Sequence, residues 1–253
     1  MSKKFDDALH TQTLSEDGSY TAYSKEYEEH YHSTRDGALF ESMKKHVVPA
    51  FNVIQKDEVN ILDICYGLGF NTLATLLYIE ENFPKKKIHI YSPELDSSVV
   101  KSLVHFKYPK VFEKYKKVIT ALSERGVYAS DKLYIELFFG DAREYILKFK
   151  NKFDIVYQDP FSPSTNPILW TKEYFRDIKD AMREEGVLTT YSIALKVRVA
   201  LHENGFYLYL NEGRDYRVAT VASRKKLEQY KSVDMQHKIA CNPGIKSLRD
   251  SDV

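Results

Sequence analysis

An α/β fold with a doubly wound, mostly parallel sheet is the architecture this sequence predicts, on three observations. Strand-like apolar runs alternate with helix-length amphipathic runs from residue 59 to about residue 204. The first apolar run, Ile61, Leu62 and Ile64 around Asp63, breaks at Gly67 and Gly69 before an amphipathic stretch, as a strand, glycine turn and helix start would at a nucleotide-type cofactor site. The last run, residues 205–224, reads as two strands around Glu212 and Gly213, an antiparallel hairpin at the sheet edge.

Taken in order, residues 1–58 form an N-terminal extension, polar at first and helical from Gly37, with Leu39, Phe40, Met43 and Val47 at helical spacing. A strand over 59–64, a helix over 72–82, a strand over 88–91 and a helix from Asp96 follow. Next come a strand over 133–139, a short helix over 142–149, a strand over 153–157 and a helix over 172–182. A strand over 186–192 and a helix over 196–204 lead into the hairpin, which closes a catalytic domain spanning 59–225. Residues 226–253 are expected to pack on that domain as a tail. Residues 101–132 exceed what a crossover helix needs. They carry Lys101, Lys107, Lys110, Lys114, Lys116 and Lys117 with Tyr108 and Tyr115, either a solvated lysine-rich face or a phosphate-contacting patch.

At 253 residues and 43% apolar, the chain can bury one sizeable α/β core. A formal charge of +1 gives no global field, so contact with a polyanion has to come from local patches. Cys65 and Cys241 are too few and too far apart for a disulfide scaffold or a zinc site, and the eight histidines are scattered, so no metal is expected. The N-terminus lacks an apolar signal core and no uncharged span has membrane length, which predicts a soluble, cytoplasmic protein without a membrane partner. A monomer is the simplest expectation.

The ligand of the glycine turn can be narrowed. Glu94 follows one βαβ length beyond the glycines, where a carboxylate suits a ribose hydroxyl pair. A dinucleotide fingerprint wants a third glycine beside the pyrophosphate, and Thr72 stands there; Asp63 adds negative charge to the same loop. A phosphate-free ligand with a cationic centre fits better, and S-adenosylmethionine is one. The plainer alternative is a strand-to-helix turn with no ligand. Asp141, after the third main strand, is placed to meet an adenine amino group and equally to cap a helix.

Residues 157–170 form a second constellation, a polar loop stiffened by Pro160, Pro163 and Pro167 at the carboxyl end of the sheet, where ligand crevices lie. Asp159-Pro160-Phe161 is similar to the Asp/Asn-Pro-Pro-aromatic loop of methyltransferases that act on amino groups. A fixed acceptor there holds the N–H bonds of an amine and aims its lone pair, while Phe161 and Trp170 wall the site. Asp-Pro also begins ordinary turns.

These segments together resemble the methyltransferase half of the bifunctional MnmC enzymes, which mature the tRNA wobble uridine. Residues 31–42, 63–71, 140–144, 159–171 and 205–217 carry the resemblance, which covers about residues 18–223. It implies a class I, Rossmann-like methyltransferase that moves a methyl group from S-adenosylmethionine to the amine of 5-aminomethyl(-2-thio)uridine, with S-adenosylhomocysteine as product. Position by position it implies that Asp63, Tyr66, Gly67, Gly69 and Asn71 serve the methionine part, Glu94 the ribose, and Asp141 with Ala142 the adenine. Glu41 faces the cofactor, and Asp159 is both catalytic and in cofactor contact. Phe161, Asn166 and Trp170, with Lys196, Arg198, Arg214 and Arg217 and the lysines of 101–117, are the expected tRNA contacts. No flavin-dependent oxidase segment follows Val253, so FAD is not expected on this chain. The loop has Asp63 and Tyr66 where many relatives have Glu and Phe. The rival readings are a polyamine aminopropyltransferase-like enzyme and a non-catalytic S-adenosylmethionine-binding protein.

Overall fold

A computed structural model describes residues 4, 5 and 7–253; residues 1–3 and 6, part of the polar start of the N-terminal extension, lie outside the described residues. The extension is more structured than its polarity suggests. Strands β1 (His10–Leu14), β2 (Tyr20–Ser24) and β3 (Glu29–His30) form a three-stranded antiparallel sheet. Thr and Tyr residues supply its β propensity, and His10, Thr21, Ala22 and Ser24 are its buried positions.

The helix expected from Gly37 is interrupted. Short α1 (Ala38–Glu41) and α2 (Val48–Val53) flank a π-helical segment, Ser42–Val47. The wider π turn changes which residues face inward. Val47 is buried, but Leu39, Phe40 and Met43 are only partly so, and Glu41, Ser42, Lys45 and His46 take the interior positions. Leu39 and Met43 still pack against the core beside Val47, so the apolar spacing found one inward face and missed the polar one that meets the site.

The main sheet has nine strands. They are β4 (Glu58–Ile64), β5 (Lys87–Glu94), β6 (Val127–Ala129), β7 (Leu133–Phe139), β8 (Phe153–Gln158), β9 (Met182–Thr190), β10 (Tyr207–Asn211), β11 (Ala219–Ser223) and β12 (Lys231–Ser232). Their spatial order is β12-β10-β11-β9-β8-β4-β5-β7-β6, with β7, β5, β4, β8 and β9 parallel. The chain builds outward from β4 through β5 to β7, then returns to lay β8 on the other flank of β4. That reversal is a topological switch point, where open α/β sheets form a crevice beyond the carboxyl ends of the strands. The hairpin inserts β11 between β9 and β10, antiparallel to both, and the edges end in the short antiparallel strands β12 and β6.

Helices α3 (Phe70–Asn82), α4 (Ser97–Ser102), α5 (Lys116–Arg125), α6 (Ala142–Ile146), α7 (Lys172–Ala181), α8 (Leu195–Glu203) and α9 (Met235–Ala240) accompany the sheet. Successive residues of β4 point to opposite faces, so Ile61 joins a core with Phe51 and Leu73 while Leu62 joins one with Trp170 and Phe175. On α7 the buried set Tyr174, Phe175, Ile178 and Ala181 follows helical spacing, and Thr171 caps its start by accepting from the Tyr174 amide at 3.2 Å. The final residues tie onto this face: Arg143 Nη1 and Nη2 donate to Asp250 at 2.8 and 2.6 Å, and Arg249 Nε donates to Glu173 at 2.6 Å.

Candidate active site

The loop between β4 and α3 takes its shape from three left-handed residues: Cys65 (φ 64°), Gly67 (φ 52°) and Gly69 (φ 74°). A Cβ on Gly69 would lie 2.6 Å from the Tyr66 hydroxyl, and one on Gly67 would lie 3.0 Å from the Tyr31 ring. Both glycines are therefore needed for space as well as for φ. Cys65 holds a conformation that costs a side-chain-bearing residue roughly 1–2 kcal/mol. The sequence signalled only the glycines.

Asp63 does not border the crevice. It is buried beneath the loop, where Thr72 Oγ1 donates to it at 2.9 Å and Asn71 Nδ2 approaches at 3.4 Å. Burial pushes its carboxyl up to about 7 despite those donors. Its expected ligand contact is thus corrected to a support for the helix start, and Thr72, flagged as a missing glycine, is its partner. Glu94, the last residue of β5, does face the crevice. Its Oε2 accepts from the Gly67 amide and its Oε1 from the Asp96 amide, both at 2.8 Å. Burial raises it above the ordinary carboxylate value, against those two amides. Asp141 caps α6 by accepting from the Arg143 amide at 2.7 Å and also lines the crevice, as does Ala142.

The crevice is a cavity of about 930 Å³ at the switch point, near the top of the range for small-molecule sites. Glu26, Glu29, Glu41, Glu94, Asp96, Asp141 and Asp159 line it, against Arg35 and Arg217. That balance favours a cationic guest over a pyrophosphate. Tyr66, Gly67 and Asn71 line it too, while Gly69 sits behind them shaping the turn.

Asp159, just past β8, anchors the floor. Asn71 Nδ2 donates to its Oδ2 at 2.8 Å, and His46 Nε2 stands 3.3 Å from Oδ1 without an aligned hydrogen bond. Burial works to raise Asp159, but its neighbours, His46 first and then His32 and Asn71, outweigh it, so the carboxyl lies below its usual range. Asn71 Oδ1 is buried with no partner. His46 is fully buried, with Nδ1 3.2 Å from Thr189 Oγ1. His32 lines the crevice, and burial lowers its pKa. Glu41 also lines it, fixed by the Ser33 amide at 2.8 Å and by Lys45 Nζ at 2.6 Å. Neither histidine is signalled in the sequence, because His46 sits in a π turn and His32 in the irregular stretch between β3 and α1, and neither leaves a spacing signature.

The proline-rich loop divides by role. Phe161 and Asn166 line the crevice, and Phe161 stacks on Tyr27 with centroids 4.7 Å apart and planes 24° from parallel. Trp170 does not wall the site. It is wholly buried, and its Nε1 donates to the Phe161 carbonyl at 2.8 Å, so it braces the loop from within the core. Tyr191 braces the same loop from the crevice side, donating to the Pro160 carbonyl at 2.9 Å.

Of the expected basic contacts, only Arg217 lines the crevice; Arg35, missed in the sequence, lines it as well. Lys196 and Arg214 are exposed away from the lining. Arg198 is corrected: it is buried, with Nε and Nη2 donating to Thr220 Oγ1 at 3.1 and 3.0 Å, so it props β11 and is not free for phosphate. No lysine of 101–117 lines the crevice, and Lys114 pairs with Glu80 at 2.8 Å. Among the described residues no cluster of three His, Cys, Asp or Glu side chains could hold a metal ion, and no helix is long and apolar enough to cross a membrane.

Residues 100–225 match a family model described as S-adenosyl-L-methionine-dependent methyltransferase. The crystal structure of MNMC2 from Aquifex aeolicus superposes with a TM-score of 0.80 at 30% identity, covering 97% of this chain and 80% of that one. A Methanocaldococcus jannaschii protein, MJ0670, described as uncharacterized, is 32% identical over 200 residues, which are 79% of this chain and 55% of that protein. The tRNA 5-methylaminomethyl-2-thiouridine biosynthesis bifunctional protein MnmC of Azoarcus sp. (strain BH72) is 29% identical over 212 residues, 77% of this chain but 32% of the relative. The chain thus spans 55% of the first of these two curated relatives and 32% of the second.

Proposed function

The chain belongs to the MnmC-type S-adenosyl-L-methionine-dependent methyltransferases, and from that membership we propose that it methylates the primary amine of 5-aminomethyl(-2-thio)uridine at the tRNA wobble position, giving the 5-methylaminomethyl form. The observation that carries this reading is Asp159. It is an ionised acceptor at the rim of the glycine loop, held by Asn71 and flanked by His46 beside a cavity rich in carboxylates. An alkylamine arrives protonated at neutral pH, and such a floor attracts it, fixes its N–H bonds and accepts a proton as the lone pair is freed.

The residues present fit the methyl donor. The orphaned acceptor Asn71 Oδ1 and the acidic lining suit a positive centre and amine hydrogens. When bound, S-adenosyl-L-methionine supplies an electrophilic methyl group on a cationic sulfur. Glu94 would hold its ribose, Asp141 with Ala142 its adenine, and Tyr66, Gly67 and Asn71 its methionine part. Phe161, beside Tyr27 and Tyr31, offers aromatic faces for a base withdrawn from the anticodon loop, while Arg35 and Arg217 are the cationic side chains lining the cavity that could meet phosphate.

The test is transfer of labelled methyl from S-adenosyl-L-methionine to tRNA that lacks the final wobble methyl, with polyamine as a parallel acceptor. Label in tRNA supports the reading. Label in polyamine alone, or binding without transfer, replaces it with an aminopropyltransferase-like or a non-catalytic role.

A further inference from the structure

The π-helical segment Ser42–Val47 brings His46 against the end of β8, beside Asp159. Its ring is fully buried, edge-on to Tyr157 of β8 at 5.8 Å, with Thr189 of β9 at Nδ1 and Asp159 at Nε2. The other titratable groups around it are Asp63 beneath the loop, His32 from the N-terminal extension, and Lys45 of its own segment, which is paired with Glu41 and Asp36. A neutral imidazole carries one N–H, and which nitrogen bears it follows from the partners. A carboxylate can only accept, so a neutral His46 has its N–H at Nε2, facing Oδ1. Thr189, whose hydroxyl can donate, then completes Nδ1.

We propose that His46 is the positioning residue of Asp159: oriented by Thr189, its Nε2–H secures Oδ1 while Asn71 secures Oδ2, so the carboxylate stays ionised and aimed into the crevice. This rests on the reading of Asp159 as the amine-side acceptor. The geometry has a reason. A buried carboxylate with Asn71 as its sole donor would be driven toward its neutral form, which neither attracts an ammonium nor takes a proton from it. Hydrogen bonds to both oxygens also leave fewer orientations open to the carboxylate, and orientation is what amine transfer demands. The 3.3 Å separation becomes a hydrogen bond with a small rotation of either group.

Two readouts on the full chain test this. Imidazole proton–nitrogen correlation spectra need no substrate. They should show His46 protonated at Nε2, with shifts that move on Asp159→Asn; an Nδ1–H tautomer, or shifts indifferent to Asp159→Asn, overturns the proposal. In steady-state methylation, His46→Phe should lower kcat about tenfold or more, with the KM for S-adenosyl-L-methionine within about threefold. It should also move the acid limb of the pH profile upward, and His46→Gln, which keeps a donor, should recover part of the loss. A His46→Phe variant with wild-type kcat and acid limb overturns it. A wild-type enzyme inert on the tRNA amine would instead remove the functional reading, and the spectra then decide the His46 assignment alone.

Discussion

Asn71 and Asp159 lie 88 residues apart in sequence, and the side-chain amide of one donates to the carboxylate of the other at 2.8 Å. This bond joins the start of α3, where the methyl donor is expected, to the loop that carries the amine acceptor. It registers the two halves of the site on opposite flanks of β4.

The first prediction concerns Asp159→Asn, which keeps shape and removes charge. Turnover should fall by about a hundredfold or more, while the dissociation constant for S-adenosyl-L-homocysteine, read by calorimetry, changes only a few-fold. Equal losses in turnover and in ligand affinity would mean that Asp159 serves the cofactor alone.

Asn71→Ala should cost turnover through Asp159 and so be non-additive with Asp159→Ala. In a double-mutant cycle on kcat, the second substitution should add little to the first. Full additivity would show that the two side chains act separately.

Two left-handed positions of the loop, Gly69 and Cys65, predict opposite outcomes. Gly69→Ala must fit a Cβ 2.6 Å from the Tyr66 hydroxyl at φ 74°, and should cost at least about 1–2 kcal/mol in chemical denaturation. Cys65→Gly releases a similar strain at φ 64° but adds about 0.5–1 kcal/mol of unfolded-chain entropy, so its stability should be unchanged or slightly higher. A clear loss at Cys65→Gly would assign the thiol a packing role that outweighs the strain.

Asp63 makes a pH prediction. Burial raises its carboxyl from 3.8 unfolded to about 7 folded, so the folded state binds this proton more tightly. Its contribution to stability is full below about pH 4 and is lost as pH rises through about 7. Asp63→Asn keeps an acceptor for Thr72 without titrating. It should therefore gain stability relative to wild type between pH 5 and pH 8, seen as a urea midpoint that falls less over that interval. Parallel pH curves for the two proteins would place Asp63 in its ordinary ionised form.

For tRNA, Arg35→Ala and Arg217→Ala should each lower the slope of log affinity against log salt, by roughly 0.7 per lost phosphate contact in a single-stranded loop. Removing Lys114, already paired with Glu80, should leave the slope unchanged. The reverse pattern would move the interface to the lysine-rich segment.

Much of the fold was legible because the central strands are buried on both faces and read as largely apolar runs that end in glycine or proline turns, as at residues 153–158, where every position is buried. Glu94 and Asp159 were legible because the switch point is fixed by topology, and the crevice must form where β4, β5 and β8 end. Trp170 and Arg198 were misplaced because sequence gives residue type but not facing. An indole near a polar loop reads as a wall until its N–H is seen to hold a backbone carbonyl. His32, His46 and Arg35 were missed for a related cause. They come from an extension whose small sheet and π turn leave no periodic pattern, and their roles exist only once that extension folds against β8 and β9.

The most direct measurement is the mass and fragmentation of the wobble nucleoside after one turnover on tRNA carrying 5-aminomethyl-2-thiouridine. The account predicts one methyl group on the side-chain nitrogen with the wild-type chain and essentially none with Asp159→Asn. A methyl group on the ring or the ribose, or an unaltered nucleoside from an enzyme that binds both ligands, would contradict it.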